Sequence, residues 1–142
     1  MLDTSVLLRF FVAHDDPVQA GADRLREAFR RGETAIMLLD LSIYELVNIQ
    51  TRRLGMPGPD VVANIEALFD MGAPICFIGR SLARSTASIS SETGLSGYDA
   101  AFVAAARSLA VPLVTADQAI LQRAPDHAVD LAVFAEMSAP EE

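Results

Sequence analysis

Apolar residues recur along this chain in two patterns that alternate with one another. Spacings of three or four residues predict helices over residues 6–11, 18–31, 41–54, 61–69, 81–93, 99–110 and from 118 onward. Short continuous apolar runs predict strands at residues 35–39, 75–78, 113–114 and 131–134, with Leu2 as the stub of a first strand. Because strands and helices alternate without an internal repeat, the pattern favours an α/β fold in which helices cover both faces of a parallel sheet.

The length of 142 residues is typical of one domain. We predict a single domain over residues 1–138 and a loose tail over residues 139–142. Apolar residues make up 51% of the chain, but charged residues interrupt every apolar stretch, so no membrane span is expected. The amino terminus does not resemble an export signal, and Cys76 is the only cysteine, which together favour a cytoplasmic protein.

The charge balance excludes several kinds of site. The chain has 19 acidic and 11 basic residues, a net charge of −8, and every basic residue is arginine. Without a lysine there is neither a phosphate-binding loop of the usual type nor a Schiff base. An acidic protein is also a weak general binder of nucleic acid, so a polyanionic substrate requires another source of attraction, such as a bound metal ion.

Four carboxylates fall near the junctions between strands and helices. Asp3 follows the first strand stub, Glu45 lies in the helix after the second strand, Asp99 opens a helix, and Asp117 follows the strand at residues 113–114. In a parallel sheet such junctions share one edge. Carboxylates gathered there would repel one another unless a cation were present, and hard oxygen ligands suit Mg²⁺ or Mn²⁺.

Each of these acids also has a purely structural explanation. Ser42 with Glu45, and Ser96 with Asp99, have the spacing of a capping box. The other two acids could be simple helix caps, and Thr4 or Ser5 could cap the first helix. The two histidines, at positions 14 and 127, lie in polar turns and are expected at the surface. No serine-hydrolase or dinucleotide motif occurs, which leaves metal-assisted phosphate chemistry as the leading class.

In their order and surroundings, these residues resemble the PIN domain, and in particular the VapC toxins of type II toxin–antitoxin modules. The resemblance is carried by four segments: Leu2-Asp3-Thr4-Ser5-Val6-Leu7-Leu8, Glu45 with Asn48, Tyr98-Asp99-Ala100 with Ala105, and Val114-Thr115-Ala116-Asp117. It covers nearly the whole chain. It implies a three-layer α/β/α sandwich with a central, mostly parallel sheet, a Mg²⁺- or Mn²⁺-dependent ribonuclease, a homodimer and a cognate antitoxin protein.

Carried over by position, the resemblance assigns the acidic site and its supporting residues. The catalytic set is Asp3, Glu45, Asp99 and Asp117, of which Asp3, Asp99 and Asp117 would bind metal. The supporting polar positions are Ser5, Asn48 and Thr115, and the residues considered for contact with substrate phosphates are Arg9, Arg52 and Arg53.

The resulting hypothesis is hydrolysis of RNA phosphodiester bonds, with a metal-activated water that Glu45 positions or deprotonates. Asn48 could orient that carboxylate or a bound water. Two alternatives remain: a non-catalytic PIN-like module that binds RNA or protein, and a stand-alone metal-dependent nuclease or phosphatase.

Overall fold

The computed structural model describes residues 1–133, and its elements are short strands separated by helices. The strands are β1 (Leu38–Leu39), β2 (Ile75–Cys76), β3 (Leu113–Thr115) and β4 (Ala128–Asp130). The α-helices are α1 (Thr4–Leu7), α2 (Pro17–Arg30), α3 (Leu41–Asn48), α4 (Gly58–Asp70), α5 (Arg80–Thr93), α6 (Gly97–Ser108) and α7 (Gln118–Arg123). A 3-10 turn, Leu8–Phe10, extends α1, and a π-helical turn, Ile49–Arg53, extends α3.

The amino-terminal residues join two pairs of parallel strands. β1 pairs with β2, and β3 pairs with β4. Leu2 forms a parallel bridge with Val114 of β3, and its amide donates to the carbonyl of Met37 just before β1. The spatial order is therefore β2, β1, the Leu2 segment, β3 and β4, and the pairings β1–β2, Leu2–Val114 and β3–β4 are parallel.

Neighbouring residues of the strands belong to different hydrophobic clusters, as the alternation of side chains along a strand requires. Met1, Leu39 and Leu113 pack with α5, α6 and α7, whereas Leu2, Leu38 and Val114 pack with α1 to α4. This arrangement confirms the predicted α/β sandwich. Within the described residues no helix is long and apolar enough to cross a membrane.

Several predicted boundaries were wrong. β1 and β2 are shorter than the predicted runs at residues 35–39 and 75–78, because their ladder pairs only two residues on each side. The predicted helix over residues 41–54 is α-helical only to Asn48, after which the π-helical turn takes over.

The last strand was also misplaced. The predicted run at residues 131–134 begins with Leu131, which is fully buried but follows the strand, because pairing with β3 sets the ladder at Ala128–Asp130. The remaining part of that run, Phe134, lies outside the described residues, as does the predicted tail over 139–142.

Candidate active site

The four acids identified in the sequence line a single cavity of about 550 Å³. Asp3 follows the Leu2 bridge and Asp117 follows β3, so both lie at the carboxyl edge of the sheet. Glu45 comes from the second turn of α3, and Asp99 from the first turn of α6. Four elements that are distant in the sequence thus deliver one carboxylate each to the same cavity.

Asp3 is the most enclosed of the four, with only 5% of the residue exposed. Its Oδ2 accepts hydrogen bonds from the hydroxyls of Ser5, at 2.6 Å, and of Thr115, at 2.7 Å. Burial raises the pKa of Asp3; these hydrogen bonds act in the opposite direction, and the charge of Asp117 raises the pKa further. The fold therefore holds this carboxylate firmly while disfavouring its ionised form.

Glu45 is half-buried, and the hydroxyl of Thr4 donates a hydrogen bond to its Oε2. Burial raises the pKa of Glu45, the hydrogen bond from Thr4 lowers it, and the charges of Asp3 and Asp99 raise it again. The predicted capping box with Ser42 is wrong: α3 starts after Asp40, and the buried Ser42 hydroxyl has no partner within the described residues.

Asp99 and Asp117 do act as parts of helix caps. Ser96 caps α6 by accepting from the Asp99 amide at 3.1 Å, and its hydroxyl lies 2.8 Å from Oδ2 of Asp99. Asp117 caps α7, because its Oδ1 accepts from the amides of Ala119 and Ile120 at 2.7 and 3.2 Å. These bonds engage one carboxylate oxygen of each residue, and both side chains line the cavity.

The cap predicted for α1 was wrong. Asp3 occupies the cap position there, without a side-chain capping bond. Neither Thr4 nor Ser5 is the cap, since both hydroxyls are directed at carboxylates of the cavity.

The supporting residues predicted from the sequence lie in two places. Ser5 and Asn48 line the cavity, and Thr115 is fully buried behind Asp3. Ser5 also accepts from the Ala116 amide at 3.1 Å, which ties the first helix to the end of β3. Glu45 is oriented by Thr4, and no hydrogen bond joins it to Asn48 in the described part of the chain.

Two of the three candidate arginines reach the cavity. Arg9 and Arg53 line it, whereas Arg52 is not among the lining residues. Sequence reasoning missed two further polar residues of the cavity, Thr4 and His14. His14 was expected at the surface because it lies in a polar turn, and no sequence signal showed that this turn folds back over the cavity.

The donor chemistry of the cavity fits a hard divalent cation, since its acidic side chains offer only oxygen ligands. The acidic side chains lie further apart than the ligands of a formed metal site. Among residues 1–133, no three Asp, Glu, His or Cys side chains are grouped closely enough to hold one ion.

Fold and cavity together define a parallel α/β domain with an acidic site at the carboxyl edge of its sheet. A sequence model of the PIN domain matches residues 1–126, and the chain therefore belongs to the PIN domain family. PIN domains are typically metal-dependent nucleases.

A solved structure supports the same fold. The crystal structure of PAE2754 from Pyrobaculum aerophilum is similar to this chain with a TM-score of 0.70 and 23% sequence identity, over 99% of this chain and 88% of that one. Among curated proteins, no sequence matches significantly.

Proposed function

We propose that this protein is a divalent-metal-dependent endoribonuclease. The observation that supports the proposal is the cavity shared by Asp3, Glu45, Asp99 and Asp117, in which burial and, to a smaller extent, neighbouring negative charges raise the pKa values of Asp3 and Glu45. A cation bound among these groups would stabilise their ionised forms and would balance charge on a phosphate during phosphodiester hydrolysis.

In this proposal Asp3, Asp99 and Asp117 hold the metal ion, which polarises the scissile phosphate and lowers the pKa of water when bound. Because no three side chains are grouped around one point, the proposal requires rotation of the half-buried Asp99 and Asp117 side chains when the ion binds. Asp3 stays in place, since two hydroxyls anchor it.

Glu45 is the proposed proton acceptor for the attacking water. A general base works best when its pKa lies close to the working pH, and burial with two acidic neighbours raises the pKa of Glu45 in that direction. Thr4 fixes one carboxylate oxygen, which leaves the other for the water. The water oxygen bonds to phosphorus as the bond to the leaving ribose oxygen breaks, the proton of the water passes to the free Glu45 oxygen, and the leaving oxygen takes up a proton from solvent.

The proposed substrate is RNA: cationic and acidic side chains share the cavity, as binding of a phosphodiester beside a metal ion requires, and the four motif segments resemble those of ribonucleases. Arg9 and Arg53 line it together with the acids, and a guanidinium can fork onto phosphate oxygens. With a net charge of −8, the rest of the surface gives little non-specific attraction, so binding should depend on this cavity and its metal ion.

The direct test is cleavage of RNA by highly purified protein with and without Mn²⁺, compared with the Asp99→Asn variant. We expect metal-dependent cleavage by the wild type and a loss of at least about 100-fold in the variant, since a charged metal ligand is removed. Asp60 occupies the corresponding first turn of α4 outside the cavity, so Asp60→Asn is the matched control and should cleave normally. Equal activity of the wild type and Asp99→Asn would reject the proposal.

A non-catalytic module is the competing proposal, and the capping roles of Asp99 and Asp117 favour it. It predicts no cleavage and no stabilisation by Mn²⁺. Competition among RNA, single-stranded DNA and bis(p-nitrophenyl) phosphate separates a ribonuclease from a DNA nuclease or a phosphodiesterase of broad specificity.

We further propose that the ribonuclease is the VapC-like toxin of a toxin–antitoxin pair, homodimeric and cytoplasmic. The support is the similarity of its four motif segments to those toxins. Induced expression should arrest growth, Asp99→Asn should relieve the arrest, and a small protein encoded beside the gene should bind the site and restore growth. Normal growth under strong expression of an active nuclease would refute the toxin role and leave the nuclease proposal intact.

A further inference from the structure

The segment between α1 and the first turns of α2 forms one wall of the acidic cavity. Its side chains and backbone are bonded to one another rather than to solvent. Gln19 connects the ends of the segment, because its Oε1 accepts from the His14 amide at 3.1 Å and its Nε2 donates to the Arg9 carbonyl at 3.1 Å. Two cavity residues are thus held by one glutamine.

Arg9 is held a second time through its side chain. Its Nη1 and Nη2 donate to the two carboxylate oxygens of Asp16 at 2.7 and 2.9 Å, and only 12% of its side chain is exposed. A guanidinium has five N–H groups, so three remain beside those two bonds. Within residues 1–133 no acceptor is assigned to these three.

The pairing of Arg9 excludes one simple explanation for its position. If Arg9 served to neutralise the cavity acids, it would form an ion pair with one of them. Its partner is instead Asp16, which does not line the cavity and which also caps α2 by accepting from the Gln19 amide at 3.1 Å. The pairing fixes the guanidinium in the wall and leaves its other edge for a ligand.

His14 lies in the same wall with a defined ring orientation. Its Nδ1 is 2.8 Å from the carbonyl of Val12, so Nδ1 carries the proton and donates it to that carbonyl. The second ring nitrogen, Nε2, has no partner among the residues that the structure describes. An imidazolium carries an N–H at both ring nitrogens, and the second one can donate to an anion.

We propose that Arg9 and His14 form a phosphate subsite that binds the backbone phosphate next to the scissile one, and that Asp16 and Gln19 are its positioning residues. The subsite rests on the proposed ribonuclease function. It requires a substrate strand that carries a further phosphate on at least one side of the cleaved bond. Charge-assisted bonds from a fixed guanidinium are the interactions that hold a phosphate in register.

The test compares three RNA oligonucleotides after the cleavage position has been mapped. One has natural linkages throughout, and in each of the other two a neutral methylphosphonate replaces the phosphate on one side of the cleaved linkage. We expect Arg9→Gln to raise KM on natural RNA by on the order of tenfold, because a charge-assisted contact is lost, with little change in kcat. On the methylphosphonate substrate of the correct side, the wild type and Arg9→Gln should have the same KM.

Asp16→Asn separates positioning from folding. Asparagine is as good a helix cap as aspartate, so α2 should remain stable. The two hydrogen bonds from Arg9 should be weakened, because the carboxylate charge is lost. We expect an increase in KM smaller than that of Arg9→Gln, with an unchanged thermal midpoint. A lower midpoint with unchanged KM would show that Asp16 is only structural.

The structure supplies matched controls. On the exposed face of α2, Arg30 donates two hydrogen bonds to the carboxylate of Glu27 at 2.8 and 2.7 Å. Arg30→Gln therefore removes a similar ion pair away from the cavity. The variant that tests the second subsite residue is His14→Gln. His127 lies just before β4 and does not line the cavity, so His127→Gln is its control. Both controls should leave KM unchanged.

Binding distinguishes failure of the subsite from failure of the nuclease proposal. Fluorescence anisotropy with a labelled single-stranded RNA and Mg²⁺ is measured on Glu45→Gln, which retains the three proposed metal ligands, and on the same variant carrying Arg9→Gln. If the wild type cleaves RNA but neither KM nor binding depends on Arg9, the subsite is wrong and the nuclease stands. If RNA is bound through Arg9 but never cleaved, the nuclease is wrong and the subsite stands, and absence of both binding and cleavage overturns both.

Discussion

The hydroxyl of Thr4 donates a hydrogen bond to Oε2 of Glu45, a residue 41 positions further along the chain. This bond connects the first helix to α3 across the acidic cavity. It lowers the pKa of Glu45, while burial and the charges of Asp3 and Asp99 raise it.

Thr4→Val tests that bond with a side chain of almost the same shape. Losing the donor removes stabilisation of the ionised carboxylate, so the pKa of Glu45 should rise and the acidic limb of the pH profile of kcat/KM should move to higher pH. On the acidic limb we expect a loss of kcat/KM of about tenfold, which disappears at alkaline pH. Thr4→Ser retains the hydroxyl and should behave like the wild type; an identical pH profile for Thr4→Val would contradict the role.

Asp3→Asn should stabilise the apoprotein while abolishing cleavage. The pKa of Asp3 is raised in the folded state above its usual 3.8, so the folded protein binds a proton more tightly than the unfolded chain. Stability therefore falls as pH rises from about 3.8 through the raised pKa and stays lower above it. Removing the charge should raise the thermal midpoint at pH 8 by at least about 2 °C.

The pH dependence provides the check on Asp3→Asn. Scanning calorimetry without divalent cations should show that the wild type loses more stability between about pH 4 and pH 8 than the variant does. Asparagine can keep its oxygen toward Ser5 and Thr115, so the hydrogen bonds need not be lost. A variant that is less stable than the wild type at pH 8 would contradict the prediction.

Mn²⁺ should stabilise the wild type by mass action, because the ion binds only the folded cavity. At a concentration 100 times its Kd the gain is about 2.7 kcal/mol, which differential scanning fluorimetry would detect. Asp117→Asn can still cap α7 but has lost its charge, so it should fold normally and show a much smaller shift. The same shift in both proteins would remove Asp117 from the metal site.

The packing of α6 on the sheet predicts that a substitution in the core lowers the stability of the fold. Phe102 is almost fully buried in the cluster that α6 forms with Met1, Leu39 and Leu113. Phe102→Ala should lower the free energy of unfolding by about 3–5 kcal/mol, because a large cavity is left in the core. Urea unfolding measures this loss; Tyr98→Ala, at an exposed position of the same helix, should change stability little.

The PIN-like α/β fold and the gathering of the acids at one edge of the sheet were predictable from the sequence. Apolar spacing indicates helices and strands, and parallel strands place their carboxyl ends together. Sequence alone could not give the strand ends. Leu131 looks like part of a strand, but the ladder with β3 ends at Asp130.

The residues around the carboxylates depended on tertiary structure. A capping-box spacing occurs at both Ser42 and Ser96, yet only Ser96 caps its helix, because α3 already begins at Leu41, one residue before Ser42. Thr4 and His14 reach the cavity through contacts between distant segments.

By itself, the sequence determined the class of fold and which acids could meet, since both follow from local periodicity and the geometry of parallel strands. The tertiary structure decided which hydroxyls orient those acids, which arginines reach them and how their pKa values shift. Those properties arise from burial and from partners up to 112 positions apart, which no local pattern encodes.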